Sequence, residues 1–264
     1  MTIKVQQVLD ALIAPVGALT HTVDTLKSGS ADAEVRRVAV VFTATYAVVK
    51  QAVDAGANLI IAHEPTYYNH MDEGDWLAGD PVYEHKRAFI EASGVTIFRL
   101  HDYVHEYKPD GIVAGMLNKL GWEGWSDPDD PTLLTPQSGA RHTVRSIAEE
   151  LKRKLGIESV QVAGDPDMEV NRFGLAVGAP GGQAQMGFLR RGDIELLIAG
   201  ETNEWETNEY VRDASDMGMN KALIVLGHQK SEETGMLTVV ALLRSAFPEL
   251  PIDYIESPPA LRRI

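Results

Sequence analysis

The sequence predicts an α/β protein made of two similar domains, the product of a duplication, and built on mainly parallel sheets. Three observations carry that reading. Short apolar runs of strand length alternate with helix-spaced segments along the whole chain, which is the pattern of parallel strands joined by crossover helices. Three of those runs return in the same order: Arg37-Val-Ala-Val-Val-Phe42 as Arg172-Phe-Gly-Leu-Ala-Val177, Asn58-Leu-Ile-Ile-Ala-His-Glu64 as Glu195-Leu-Leu-Ile-Ala-Gly-Glu201, and Val95–Leu100 before His101 as Ala222–Leu226 and Gly227 before His228. The matched segments lie 135, 137 and 127 residues apart, a spacing that suits one duplicated unit of domain size. Finally, 264 residues with 44% hydrophobic content suffice for a substantial core.

In chain order, Val5–Ile13 has helical spacing, with Val5, Val8, Leu9 and Leu12 on one side. A loop follows near Ser28–Ala31. Val38–Phe42 reads as a fully buried strand, Val48–Ala55 as the crossover helix and Leu59–Ala62 as the next strand, a βαβ unit. Thr66–Pro81 is polar and reads as a surface loop. Tyr83–Ser93 returns to helical spacing and leads into the Val95–Leu100 strand. After Gly121, Ser126-Asp-Pro-Asp-Asp-Pro131 and Thr135-Pro-Gln-Ser-Gly139 are turn formers. A first repeat over 1–125, a linker over 126–141 and a second repeat over 142–264 are therefore expected.

In the second repeat, Val144–Leu155 is an amphipathic helix stopped by Gly156. Strands are expected at Val160–Val162, Phe173–Val177 and Leu196–Ala199, a helix at Trp205–Met217, the Ala222–Leu226 strand, a helix at Met236–Phe247 and a last strand at Ile252–Ile255.

Composition narrows the function classes. Lys and Arg total 24 against 38 acidic residues, a formal charge of −14, which repels phosphate backbones, so nucleic acid is not expected as a partner. No apolar run reaches membrane-span length and the N-terminus lacks a signal-peptide layout, so a soluble cytoplasmic protein is expected. There is no cysteine. Disulfides and thiolate ligands are both excluded, and any metal must be held by nitrogen and oxygen.

Chemistry-bearing residues collect where strands end, the edge at which parallel sheets bind ligands. His63 and Glu64 follow one strand, His101 and His105 a second, His228 and Glu232 a third. Spacing of four places His101 with His105, and His228 with Glu232, on one face of a helical turn. Imidazole and carboxylate converging there suit a divalent cation. Six donors exceed what one ion needs, so two ions sharing a bridging water are expected. His21, His70 and His85 read as solvated, and His142 as a helix-start residue. Gly178-Ala-Pro-Gly-Gly182 lacks the residues of a phosphate loop and reads as a flexible turn. No Gly-x-Ser-x-Gly elbow is present.

Several of these segments carry a family resemblance. Asn58-Leu-Ile-Ile-Ala-His-Glu-Pro65 resembles the strand-plus-His-His-Pro segment of the Nif-three-like dinuclear-metal-centre family, also known as GTP cyclohydrolase I type two proteins. His101-Asp-Tyr-Val-His105 resembles its His-Thr-Asn-x-Asp segment, Leu196-Leu-Ile-Ala-Gly-Glu201 its Thr-Gly-Glu strand and Gly227-His-Gln-Lys-Ser-Glu232 its Gly-His-x-x-Ser/Thr-Glu motif. The resemblance implies two similar α/β domains related by an internal pseudo-twofold, a two-metal site between them, and a homo-oligomer, either a dimer or a toroidal hexamer. It implies metal ligation by His63, Glu64, His105, His228 and Glu232, with His101 and Glu201 as outer or additional ligands. Glu64 stands where the family has a second histidine and His105 where it has aspartate, so donor number is kept while its distribution changes. The implied cofactors are two divalent ions, zinc, iron or manganese. The leading expectation is a hydrolase acting on a small nucleotide-like substrate through a metal-bridged water, with no catalytic residue singled out. The alternative is a non-catalytic regulatory or scaffold protein whose metals are structural.

Overall fold

The computed structural model describes residues 2–136 and 141–261, so part of the turn-rich Thr135–Gly139 stretch lies outside the described residues. Along the chain run α1 (Val5–Ile13), β1 (Leu26–Ser28), β2 (Val38–Val41), α2 (Tyr46–Asp54), β3 (Leu59–Ala62), α3 (Pro81–Ser93), β4 (Thr96–Arg99), α4 (Asp102–Glu106), α5 (Gly111–Leu120) and β5 (Leu133–Leu134). The same order of helices and strands then repeats as α6 (Val144–Leu155), β6 (Gln161–Ala163), β7 (Phe173–Ala176), α7 (Gly182–Leu189), β8 (Leu196–Ala199), α8 (Glu209–Asp216), β9 (Ala222–Val225), α9 (His228–Glu232), α10 (Met236–Ala246) and β10 (Ile252–Ile255). The duplication therefore extends beyond the three matched strands to every regular helix and strand.

The chain forms two compact units that do not coincide with the sequence repeats. One comprises the residues up to Gly111 together with those from Met236 onward; the other is Ile112–Gly235. Each repeat thus gives its last helix and strand to the other unit's core. Nothing local in the sequence specifies this exchange, because α5 and α10 are apolar enough to satisfy either core.

In the first unit the sheet order is β1-β4-β3-β2-β10, with β10, β2, β3 and β4 parallel and β1 antiparallel at the edge. Val38 lies opposite Leu59, and Leu59 opposite Thr96. β2, β3 and β4 are buried along their whole length, which explains their unbroken apolar sequence. Val48, Val49 and Ala52 of α2 pack into this core. The α3 helix starts before its expected position because Asp80 Oδ1 accepts from the amides of Val82 and Tyr83 at 2.9 and 3.0 Å, with Pro81 at the first helical position. Gly94, at φ 65°, ends it.

The second unit has the order β5-β7-β8-β9-β6, with β7, β8 and β9 parallel and both edges antiparallel. Its core gathers Trp122, Phe173, Leu196 and Ile224 with Val144, Ile147, Leu151 and Leu155 of α6. Trp122 is buried, yet its indole N–H reaches Glu150 Oε1 at 3.1 Å. α5 has no counterpart among the sequence expectations: Gly111 and Gly115 dilute its helical signal. Gly115 is required by packing, since a methyl there would come within 2.5 Å of the Gly235 Cα. Among the described residues, no helix is long and apolar enough to cross a membrane.

Candidate metal centre

Each unit carries a donor cluster at the carboxyl ends of its parallel strands. In the first unit, β3 ends at Ala62 and the amides of His63 and Glu64 both donate to the Phe42 carbonyl beyond β2, at 3.0 and 2.9 Å. That anchor fixes where His63 leaves the sheet. β4 ends one strand over, and the turn into α4 is capped by the buried carboxylate of Asp24. It accepts from the amides of His101, Asp102 and Tyr103 at 2.8, 3.0 and 2.9 Å. Burial pushes the Asp24 carboxyl up against these lowering amides. α4 then carries His105 four residues on from His101.

The three imidazoles converge. The rings of His63 and His101 are stacked with centroids 4.7 Å apart; His105 lies 5.2 Å from His63 and 5.0 Å from His101. One ring nitrogen from each falls within 4.8 Å of the others. Each ring is held through Nδ1: His63 against the Leu100 carbonyl at 3.1 Å, His101 against Asp102 Oδ1 at 2.9 Å and His105 against Asp110 Oδ2 at 3.0 Å. A carbonyl can only accept, so His63 carries its proton on Nδ1, and the carboxylates favour the same tautomer at the other two rings. In that tautomer Nε2 carries the lone pair that could bind a metal, and an outer oxygen on Nδ1 is how metal-binding histidines are commonly oriented. Burial, reinforced by the neighbouring His63, holds His101 down to about 4, so it stays a neutral donor through the physiological range. His63 is fully buried, and its Nε2 lies 3.9 Å from Glu64 Oε1.

The second unit builds its cluster differently. β8 runs into Gly200 and Glu201; β9 runs through Gly227, at φ 92°, into α9 with His228 and Glu232 one turn apart. His228 lies between two carboxylates, Nδ1 3.1 Å from Glu201 Oε2 and Nε2 3.0 Å from the buried Glu232 Oε2. Ser231 ties the exit together: its hydroxyl donates to the His228 carbonyl at 2.7 Å and accepts from the Gly178 amide at 2.9 Å. Gln185 is buried, donates to the Glu201 carbonyl at 2.7 Å and accepts from Thr207 at the same distance. The imidazole–carboxylate pair of His228 and Glu232 is a nitrogen and oxygen donor set of the kind zinc, iron and manganese accept.

Within the first unit the structure gathers His63, Glu64, His101 and His105, and within the second Glu201, His228 and Glu232. His101 enters its triad as fully as His105 does. His70 is exposed, as expected, and its ring also stands edge-on to His101 with centroids 5.6 Å apart. Arg99 explains why: fully buried, it donates through Nε to the His63 carbonyl at 3.1 Å and through a second nitrogen to the His70 carbonyl. His142 does not cap α6; Thr143 does, and the His142 ring packs on Trp125 at 5.4 Å. At the start of the Gly178–Gly182 turn there is no room for a side chain. A methyl on Gly178 would lie 2.2 Å from Glu232 Oε1, so glycine there makes room for that carboxylate.

Sequence reasoning missed the orienting groups. Asp102 and Asp110 sit one and five residues beyond their histidines, a signal that was readable. Asp24 and Arg99 act across long sequence distances, and nothing local marks them.

The family model described as Duf34/NIF3 (NGG1p interacting factor 3) matches residues 4–259. A Clostridium acetobutylicum protein named GTP cyclohydrolase 1 type 2 homolog is 23% identical over 265 residues, covering 96% of this chain and 94% of the relative. A crystal structure of a Staphylococcus aureus protein aligns with TM-score 0.78 at 16% identity over 99% of both chains. A Bacillus cereus protein related to NIF3 aligns with TM-score 0.77 at 14% identity over 100% of this chain and 99% of that one.

Proposed function

The chain belongs to the Duf34/NIF3 family, and from that premise we propose that it binds two divalent metal ions and hydrolyses a small nucleotide-like substrate. The ligands in this proposal are His63, Glu64, His105, His228 and Glu232, with His101 and Glu201 beside them. The observation that carries it is the triad of His63, His101 and His105, each ring held through Nδ1 by an oxygen acceptor. An outer shell of this kind is common around metal-binding imidazoles and has little purpose around three ordinary ones. The relative's name, GTP cyclohydrolase 1 type 2 homolog, supports the nucleotide-like substrate.

Bound divalent ions would lower the pKa of water and polarise a substrate oxygen. The protein's own residues do the rest. Asp102 and Asp110 keep His101 and His105 in the ligating tautomer, and burial keeps His101 uncharged. Glu64 and Glu232 supply negative charge that offsets the ions, and either carboxylate can accept a proton from an attacking water. Assembly into a homo-oligomer belongs to the same proposal.

Elemental analysis of the purified protein beside a His63→Ala, His228→Ala double variant tests it. The wild type is expected to retain zinc, iron or manganese and the variant to lose it, with hydrolysis of nucleotide substrates lost in parallel. A folded wild type that neither retains nor takes up a transition metal overturns the reading.

A further inference from the structure

In the first unit, a concavity of about 380 Å³ is lined by Tyr46, Tyr68, Pro81, Val82, His85 and Lys86. None of these residues belongs to the donor cluster described above. The volume falls within the roughly 300–1,000 Å³ of small-molecule pockets, which are mostly aromatic and apolar with a few placed polar groups.

Lys86 is the group that gives this surface a chemistry. It is only 4% exposed, although lysine is almost never buried without a paired charge. Its ammonium donates to the Thr66 carbonyl at 2.6 Å and lies 5.7 and 5.2 Å from the ring centroids of Tyr67 and Tyr68. Among the described residues, one carbonyl and two ring faces leave the charge short of a counterion: Asp72, whose charge bears on Lys86, is ion-paired with Lys27 at 3.2 Å. Desolvation accordingly draws the Lys86 ammonium down to about 8.

The aromatic lining is held with similar care. Tyr68 is half-exposed yet held at φ 56°, a left-handed backbone that an aromatic residue rarely adopts. Its neighbours fix it there: Asp72 Oδ1 accepts from the Tyr67 amide at 2.6 Å, and Asn69 Nδ2 donates to the carbonyls of Tyr67 and Glu73 at 2.9 and 2.7 Å. The Tyr46 ring is held at 4.9 Å from Phe89 and 5.5 Å from His85. Two tyrosines, a proline and a valine thus flank a buried cation in a preset geometry, and backbone strain of this kind clusters at ligand sites.

We propose that this pocket binds a small planar aromatic acid, its ring packed against Tyr46 and Tyr68 and its carboxylate paired with Lys86. The pairing supplies the counterion that the ammonium lacks, and a charge-assisted bond in a desolvated site is stronger than one in water. One cation suits one carboxylate. A chain of net charge −14 offers no further attraction to a polyanion at this position.

The test is calorimetric titration of the full-length protein with 1-naphthoate, 1-naphthamide and cyclohexanecarboxylate. Each is run on protein as purified and again after chelation, so that carboxylate–metal bonding is separated from pocket binding. Saturable 1-naphthoate binding is expected in both preparations. Binding of the amide and of the saturated acid should be about tenfold weaker, the size of a lost charge-assisted or aromatic contact. Lys86→Met keeps the side-chain volume and should lose about tenfold; Tyr68→Ala, at a half-exposed site, should also weaken binding. The proposal fails if folded wild type shows no saturable binding, if acid and amide bind alike, if chelation abolishes binding, or if folded Lys86→Met and Tyr68→Ala both bind 1-naphthoate as wild type does.

Discussion

The two repeats share one order of helices and strands, and the units they supply share a parallel three-stranded centre, yet the units arm the same strand exits with different chemistry. Matched by the repeat, His63 corresponds to Gly200, Glu64 to Glu201, His101 to His228 and His105 to Glu232. The first unit collects imidazoles, each oriented by an oxygen acceptor, whereas the second places one imidazole between two carboxylates. The scaffold therefore fixes where donors emerge. The side chains at four positions decide what they are.

The sharpest contrast is His63 against Gly200, and it yields the largest expected effect. The first exit has room for a buried ring beside Phe42 at 5.7 Å. At Gly200 even a methyl would lie 2.4 Å from the Gly178 carbonyl and 2.5 Å from Ser231 Oγ. Gly200→Ala should therefore cost about 3 kcal/mol in urea denaturation, the upper range for overpacking a tight site. It should also disturb the Ser231–Gly178 bond that seats α9. A cost below about 0.5 kcal/mol, within the range of an ordinary surface substitution, would mean the second exit is looser than its contacts indicate.

The same contrast predicts a pH dependence that belongs to the first unit. The unfolded chain protonates histidine near its ordinary 6.5, while burial keeps native His101 neutral down to about 4. The unfolded state thus binds more protons between these values, so stability is full above pH 6.5 and falls as pH drops toward 4. For chelated protein the His101 contribution should be on the order of 3 kcal/mol across that window. His101→Gln should flatten the slope in denaturation curves taken at pH 7, 5.5 and 4. An unchanged slope would remove His101 from the list of buried neutral donors.

A third outcome concerns how the first triad is held. Asp110→Asn keeps the size of the group on His105 Nδ1, 3.0 Å away, but removes its charge. Metal affinity measured by competition with a chromophoric chelator should fall about 10- to 100-fold, as outer-ligand changes typically do. Asp110 is not buried, so stability should move little. Equal affinity in the variant would mean that His105 is not a ligand.

The parts that were readable from sequence, and those that were not, divide along the same physical line. Buried parallel strands are continuous apolar runs, so Val38–Phe42, Leu59–Ala62 and Leu196–Ala199 announced themselves, and the donors at their ends followed. α5 was hidden because two glycines and an all-round apolar surface erase amphipathic spacing. β5 was hidden because two residues, Leu133 and Leu134, carry no period. The exchange of β5 and β10 between sheets depends on tertiary pairing alone, as does Asp24, which caps α4 from 77 residues away.

The smallest effect tests whether the two scaffolds are energetically as alike as their order suggests. α2 and α6 are not repeat partners, but each begins at a threonine whose hydroxyl accepts from an amide three residues on, Thr45 from Val48 and Thr143 from Ser146, both at 3.2 Å. The α6 cap has a second bond, because the Ser146 hydroxyl accepts from the Thr143 amide at 2.8 Å. That capping box leaves partial compensation when the threonine hydroxyl is lost. Thr45→Ala should cost about 1 kcal/mol and Thr143→Ala somewhat less, the usual range for an N-cap being roughly 0.5–2 kcal/mol. Hydrogen exchange on each helix reports the loss locally, so each unit serves as the other's control. If Thr45→Ala loosened α6 amides as much as those of α2, the units would be unfolding as one cooperative body, and the comparison between them would hold for chemistry but not for stability.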